Sequence, residues 1–189
     1  LDQQRPPEYL TEQPFDQVPC FSDGEVKIFE TGAIVQYVGE KSETLLPRDP
    51  QGRFRAIQWT YAALNSVEPA ILNLLLIDIF YTGEEWAKLR RPGAEDFVKL
   101  KLGRVSDWLG DKPWLEGRFT IGDLLMVTVL RFLRHTDLVA GFPNLAAYVK
   151  RGEARPAFQR ALGDQLAVYA ANQPQPEPAN NPQSEGAAA

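Results

Sequence analysis

Phe119-Thr120-Ile121-Gly122-Asp123-Leu124 is the stretch that most limits what this chain can become. Thr120 and Asp123 stand three residues apart, so each side chain can reach the other's backbone N–H and close a capping box at a helix start. Phe119 and Leu124 fit the hydrophobic staple that flanks such a box. The run that follows, through Leu133, is apolar nearly all round. A helix with no face suited to water belongs at the centre of a bundle. Asp123 therefore reads as a fold residue and not as a catalytic acid.

The rest of the chain supplies helices to surround it. Asp49 before Pro50 reads as an N-cap followed by the first helical position. Apolar residues then recur at Phe54, Ile57, Tyr61, Leu64, Val67, Ile71 and Leu74, which is helical spacing. Pro69 is expected to kink or interrupt that helix. Tyr81 to Gly93 reads as a turn or short helix broken at Pro92-Gly93, and Val98, Leu102, Val105 and Leu109 mark a further helix ended by Gly110. Pro143 and Pro156 each open another. Trp59, Tyr61, Trp108 and Trp114 read as core residues, with Trp59 and Tyr61 also placed to border a hydrophobic pocket. From Gln173 onward Pro, Asn, Gln and Ala dominate without periodicity, so residues 173–189 are expected to be disordered.

Composition removes several functions. A formal net charge of −5 leaves no electrostatic footprint for nucleic acid or anionic lipid, and Lys88, Arg90 and Arg91 read as a solvated face. No apolar run approaches membrane-spanning length, so no membrane partner is expected. One cysteine, Cys20, precludes an internal disulfide and suits a reducing, cytoplasmic setting. Cys20 and the one histidine, His135, make neither a zinc set nor a His-based triad, so no metal is expected. His135 reads as solvated near a helix end, and Cys20 as a small strand residue.

One segment does carry binding chemistry. Gln17 to Gly32 reads QVPCFSDGEVKIFETG. Val18-Pro19-Cys20-Phe21 is a short apolar strand entered through a proline, Ser22-Asp23-Gly24 supplies turn chemistry, and Val26-Lys27-Ile28-Phe29 alternates as a return strand. If the Val18–Pro19 bond is cis, the Val18 backbone turns outward, where an extended peptide can pair with it. Thr31 stands at an N-cap position, where free amides attract a carboxylate, and Glu30 beside it suits an ammonium group. Residue by residue, an ordinary hairpin and capped helix explains the same pattern.

Taken together, the Gln17-Val18-Pro19 approach, the hairpin and the Phe29-Glu30-Thr31-Gly32-Ala33-Ile34 run ending in Tyr37 resemble the glutathione transferase family. Pro7-Glu8-Tyr9-Leu10 and the Thr120–Asp123 box match it too. The resemblance implies a cis-proline, a Val18 backbone pairing with the cysteinyl part of glutathione, and Glu30 and Thr31 holding its γ-glutamyl end. Gln17 is a further candidate. It implies an α+β, mostly α fold: an incomplete thioredoxin-like N-terminal domain over residues 1–43, then an all-α bundle over 44–172. The family's catalytic Tyr, Ser or Cys belongs to a strand–helix–strand unit that nothing ahead of Pro6 supplies. Leu1 in place of a methionine fits an incomplete sequence, and the catalytic residue is unassigned.

The implied activity is conjugation of the glutathione thiol to a small hydrophobic electrophile by a homodimer, with glutathione as co-substrate. A non-catalytic binding module and a glutathione-dependent thiol reductase are the alternatives. Tyr or Ser at the family's catalytic position would favour transfer, and Cys would favour reduction.

Overall fold

A computed structural model describes residues 7–173. The expected disorder lies outside the described residues from position 174 onward. Among the described residues, two compact units are distinguished, one up to Glu153 and one from Ala154. In the first, a 3-10 turn (Pro7–Thr11) leads to a hairpin of β1 (Cys20–Asp23) and β2 (Val26–Phe29). Then come α1 (Thr31–Glu40), α2 (Pro50–Tyr61), a π-turn (Ala62–Val67), α3 (Glu68–Ile79), α4 (Glu85–Leu109), α5 (Ile121–Leu130), a 3-10 turn (Arg131–His135) and α6 (Pro143–Glu153). The second unit holds α7 (Pro156–Ala171).

The hairpin turns tighter than the sequence implied. Ser22 and Asp23 still belong to β1, and Asp23 stands opposite Val26. Only Gly24 and Glu25 remain for the turn, and Gly24 adopts φ +60, which glycine reaches without a Cβ penalty.

α5 is the centre of the bundle, and its start is the capping box. Asp123 Oδ2 accepts from the Thr120 N–H at 2.9 Å and from its hydroxyl at 3.1 Å, while Thr120 Oγ1 accepts from the Gly122 N–H at 3.2 Å. The other carboxylate oxygen accepts from the Leu115 N–H at 2.9 Å and the Tyr148 hydroxyl at 3.0 Å. Burial pushes the Asp123 carboxyl up, against those hydrogen bonds, and pushes the Tyr148 phenol well above its ordinary value. The helix closes in a 3-10 turn instead of running regularly to Leu133. One core joins Ile71, Leu74, Val98, Leu102, Met126, Leu130 and Leu145, all fully buried.

Three sequence expectations change. Pro92 does not break the chain: α4 runs unbroken through it, because Ala87, Ala94, Val98, Leu102, Val105 and Leu109 form one buried stripe. Arg91 is no solvated cation either. It grips Asp78 of α3 at 2.7 and 3.1 Å and Glu95 at 2.6 Å, tying α3 to α4 beside the proline. Tyr61 and Trp108 are exposed and not core, at 56% and 42%.

At Pro69 the regular α-helix is interrupted, as expected: α2 ends at Tyr61, the π-turn intervenes, and Pro69 sits in the first turn of α3. A proline lacks the N–H for its own turn and crowds the carbonyl four residues back. Here the Glu68 N–H donates to the Ala63 carbonyl, five residues back, so the backbone is already widened where the ring arrives. The joined run Pro50–Ile79 has 30 residues and is apolar enough to cross a membrane by length and composition, contrary to the sequence reading. Its buried face lines the core, and core helices pass the same test.

Two variants test this packing. Thr120→Ala should lower stability by about 0.5–2 kcal/mol, the usual loss of an N-cap. Asp123→Ala should cost more, because it strands the Leu115 N–H and the Tyr148 hydroxyl, and buried unsatisfied groups cost about 1–3 kcal/mol each. Urea midpoints that leave Asp123→Ala the milder of the two would overturn that order. Gly122→Ala places a Cβ 2.5 Å from the Trp59 Cβ and 3.1 Å from the Ala56 carbonyl, so the contact of α2 with α5 must open. Its expected cost is about 1–3 kcal/mol in the same titration.

Candidate functional site

The approach to β1 is shaped before the strand begins. Gln13 is buried; its side-chain carbonyl accepts the Phe15 N–H at 2.7 Å and its backbone carbonyl accepts the Asp16 N–H at 3.1 Å. The Tyr9 hydroxyl donates to the Gln17 carbonyl. These bonds hold the loop that delivers Val18 and Pro19. The Val18–Pro19 peptide bond is cis. Val18 is 77% exposed, and Gln17 and Pro19 are exposed beside it. Cys20 follows on β1, half-buried and opposite Phe29.

That register brings the two halves of the predicted constellation to one end of the hairpin. Cys20 pairs with Phe29, so Pro19 and Glu30 are the next residues along on adjacent strands, which run about 4.7–4.9 Å apart. Glu30 is then held at φ 72, ψ 119. Few non-glycine residues accept such a backbone, and those that do cluster at binding and catalytic sites. The bend turns the chain from β2 directly into α1.

Thr31 is not the cap that its sequence position implied. Glu30 occupies the N-cap position without a side-chain cap bond, and Thr31 is the first helical residue. The first helical hydrogen bond runs from the Ile34 N–H to the Glu30 carbonyl at 3.0 Å. The amides of Thr31, Gly32 and Ala33 therefore precede the ladder, and the helix dipole adds partial positive charge there.

A cleft of about 740 Å³ opens beside this turn, between α1 and the helical run of α2 and the π-turn. Glu30, Thr31, Tyr37 and Glu40 line one wall, and Tyr61, Leu64, Asn65 and Glu68 the other. The walls approach closely: a Cβ on Gly32 would lie 3.0 Å from Leu64 Cδ1. Gln17, Val18 and Pro19 are not in the lining. Glu40 is held by Arg53 of α2, whose guanidinium keeps its carboxyl below the ordinary value. Asp23 at the hairpin tip is likewise lowered by Lys41, then by the Tyr37 hydroxyl.

Glu68 behaves differently. It has no hydrogen-bond or ion-pair partner among the described residues, and burial alone pushes its carboxyl up. It was not singled out from the sequence alone. Its spacing from Tyr61, Leu64 and Asn65 was the available signal: positions 61, 64, 65 and 68 share one helix face. Among the described residues no group of three or more His, Cys, Asp or Glu side chains converges to hold a metal.

Known proteins share this arrangement. Residues 1–40 match the glutathione S-transferase N-terminal domain, and residues 92–156 the C-terminal domain. Glutathione S-transferase F14 of Arabidopsis thaliana is 30% identical over 80% of this chain, which spans 65% of that relative's length. Glutathione S-transferase GstA of Escherichia coli O157:H7 is 30% identical over 82% of this chain and 77% of its own. A glutathione transferase family member from Pseudomonas fluorescens, crystallised with two glutathione molecules bound, superposes with a TM-score of 0.77 at 26% identity, covering 84% of this chain and 76% of that one. A glutathione transferase from Burkholderia graminis, with two glutathione molecules per subunit, gives a TM-score of 0.76 at 29% identity, over 85% and 72%. With these likenesses across both the hairpin and the helical bundle, the chain belongs to the glutathione S-transferase family.

Proposed function

We propose that this protein binds glutathione at the hairpin end and the start of α1, and joins its thiol to small hydrophobic electrophiles. The observation that carries the reading is the Glu30–Thr31 junction: a carboxylate on a constrained bend, followed at once by unbonded first-turn amides. A γ-glutamyl group presents a carboxylate and an ammonium on one carbon. The amides and the Thr31 hydroxyl suit the carboxylate, and Glu30 suits the ammonium. The exposed Val18 backbone offers strand-like pairing to the cysteinyl residue, with Gln17 and Pro19 beside it. Solved relatives with glutathione bound support the same reading.

Chemically, the bound thiol loses its proton, and the sulfur attacks an electrophilic carbon, forming a C–S bond as the leaving group departs. This chain's part in that step is to fix the tripeptide with its sulfur toward the second substrate. No described residue is assigned as the donor that stabilises the thiolate. Residues 1–43 carry the glutathione contacts, and residues 44–172 supply the helical wall for the electrophile. The single cysteine supports a reducing, cytoplasmic setting.

A homodimer belongs to the same proposal. Leu72 and Leu76 of α3, Phe80 just beyond it, and Trp86, Leu89 and Phe97 of α4 are all exposed large apolar residues. Exposed apolar residues concentrated on these two packed helices suit an interaction surface, and a second copy of the chain is the occupant proposed. Sedimentation should give twice the chain mass for the wild type and a shift toward monomer for Leu76→Asp. A wild type that sediments as a monomer would remove this part of the reading.

Calorimetric titration of glutathione tests the binding residues. Thr31→Val keeps the shape and loses the hydroxyl, so affinity should fall about tenfold or more, whereas Thr31→Ser should be mild. Glu30→Gln should weaken binding similarly. Equal affinities across the set would leave only a hairpin and a helix. Glu30→Gly separates site from fold, because glycine adopts φ 72 without a Cβ. Its thermal midpoint should match or exceed that of the wild type while glutathione affinity drops.

A further inference from the structure

We infer that the Tyr9 hydroxyl is a positioning group for glutathione: by holding the Gln17 carbonyl, it aims the Val18 N–H at the carbonyl of the ligand's cysteinyl residue. The inference rests on the reading that glutathione pairs with the Val18 backbone.

Tyr9 holds the loop before β1 at both ends. Its carbonyl accepts the Glu12 N–H at 3.0 Å and the Gln13 N–H at 2.8 Å. Its hydroxyl crosses to the far side and donates to the Gln17 carbonyl at 2.5 Å. The other ties on this loop act elsewhere. Those of Gln13 to Phe15 and Asp16 stay within the loop. Glu12 meets Lys27 of β2 at 3.2 Å with both side chains well exposed, and such pairs contribute little. Phe15 meets Phe29 edge-on at 6.2 Å between ring centres. Among the described residues, only the Tyr9 hydroxyl bonds the Gln17–Val18 peptide unit.

That peptide unit is trans and planar, so its C=O and N–H point in opposite directions. A donor that fixes one of them fixes the other. With the carbonyl turned in to Tyr9, the Val18 N–H points away from it, on a residue that is 77% exposed. Among the described residues this N–H donates to no protein acceptor. An amide whose C=O already accepts a hydrogen bond is polarised into a better donor at its N–H. Pro19 and Glu30 follow the Cys20–Phe29 pair, so the donor lies one residue further out from the bend that starts α1. A ligand with its γ-glutamyl end at Glu30 and Thr31 brings its next residue past this amide. A phenylalanine at position 9 would leave the Gln17 carbonyl to water and the peptide unit free to turn.

The test compares glutathione with γ-glutamylcysteamine, which keeps the γ-glutamyl end, its amide and the thiol but lacks the cysteinyl carbonyl and the glycine. Both are titrated into wild type and Tyr9→Phe. Wild type should prefer glutathione. Tyr9→Phe should bind glutathione about three- to tenfold more weakly, the range for one neutral hydrogen bond, and γ-glutamylcysteamine unchanged. An intact glutathione affinity, or a loss equal for both ligands, overturns the role of Tyr9 and leaves the glutathione reading standing. The Val18 amide is read directly by hydrogen exchange at saturating glutathione. Saturation should slow its exchange in wild type, and about threefold less or weaker still in Tyr9→Phe. A Val18 amide that glutathione leaves unprotected in wild type, or protects equally in both proteins, overturns the inference even where the second ligand binds too weakly to titrate. A wild type that binds neither ligand overturns both readings. The phenylalanine ring keeps the packing, so the two proteins should melt together. A lower midpoint with equal losses for both ligands would assign the hydroxyl to the fold instead.

Discussion

The buried carboxylate of Asp123 is the constraint on which the rest depends. It gathers the amide of Leu115, the amide and hydroxyl of Thr120 and the phenol of Tyr148, joining the loop after α4, the start of α5 and the middle of α6. Each of those groups would otherwise be a buried polar atom without a partner, and among the described residues no buried side-chain nitrogen or oxygen is left so. Burial holds the carboxyl above its ordinary value against these bonds. The network therefore serves to specify one arrangement of three segments as much as to stabilise it. Its neighbour Ile121 donates its N–H to the Leu45 carbonyl at 3.0 Å, which carries the specification across the linker toward α1.

From there the site follows by packing. Val35 of α1 and Ile57 of α2 contribute to the small core around Leu46, Ala56 and Ile121. α1 is thus seated against the bundle, and its free end faces the helical run of α2 and the π-turn. The hairpin reaches this end through one strained residue, Glu30. A rigid helical scaffold holding a constrained bend is the usual division between stability and function, because binding groups need positions that local propensity would not choose.

What the sequence made legible was the chemistry of short range. A capping box, a proline-led helix start at Asp49-Pro50 and a glycine-turned hairpin depend on residues within a few positions of one another, so their pattern suffices. Glu30 and Thr31 were legible in the same way, though Thr31's step from cap to first helical residue depends on the backbone angle at Glu30. Pro92 was misread because tertiary packing overrides local preference. At Pro92 a continuous buried stripe and the Arg91 bridge outweigh one lost hydrogen bond. Glu68 was passed over for a different reason: burial of an acid without a protein partner leaves no mark on a sequence. The exposed apolar residues of α3 and α4 were invisible likewise, since an apolar residue at helical spacing reads as core until its exposure is known.

The buried stripe of the long helical run passes through the π-turn without changing face. Trp59 before it, Ala63 and Val67 within it, and Ile71, Leu74 and Ile77 beyond it all enter the same core. The segment from Pro50 to Ile79 therefore offers the bundle one continuous seam, while Tyr61, Leu64, Asn65 and Glu68 turn to the cleft. A helix advances roughly 100° per residue. Removing one residue from Ala62–Val67 would swing the far half of that seam out of line with the near half, even with every core side chain outside the turn unaltered.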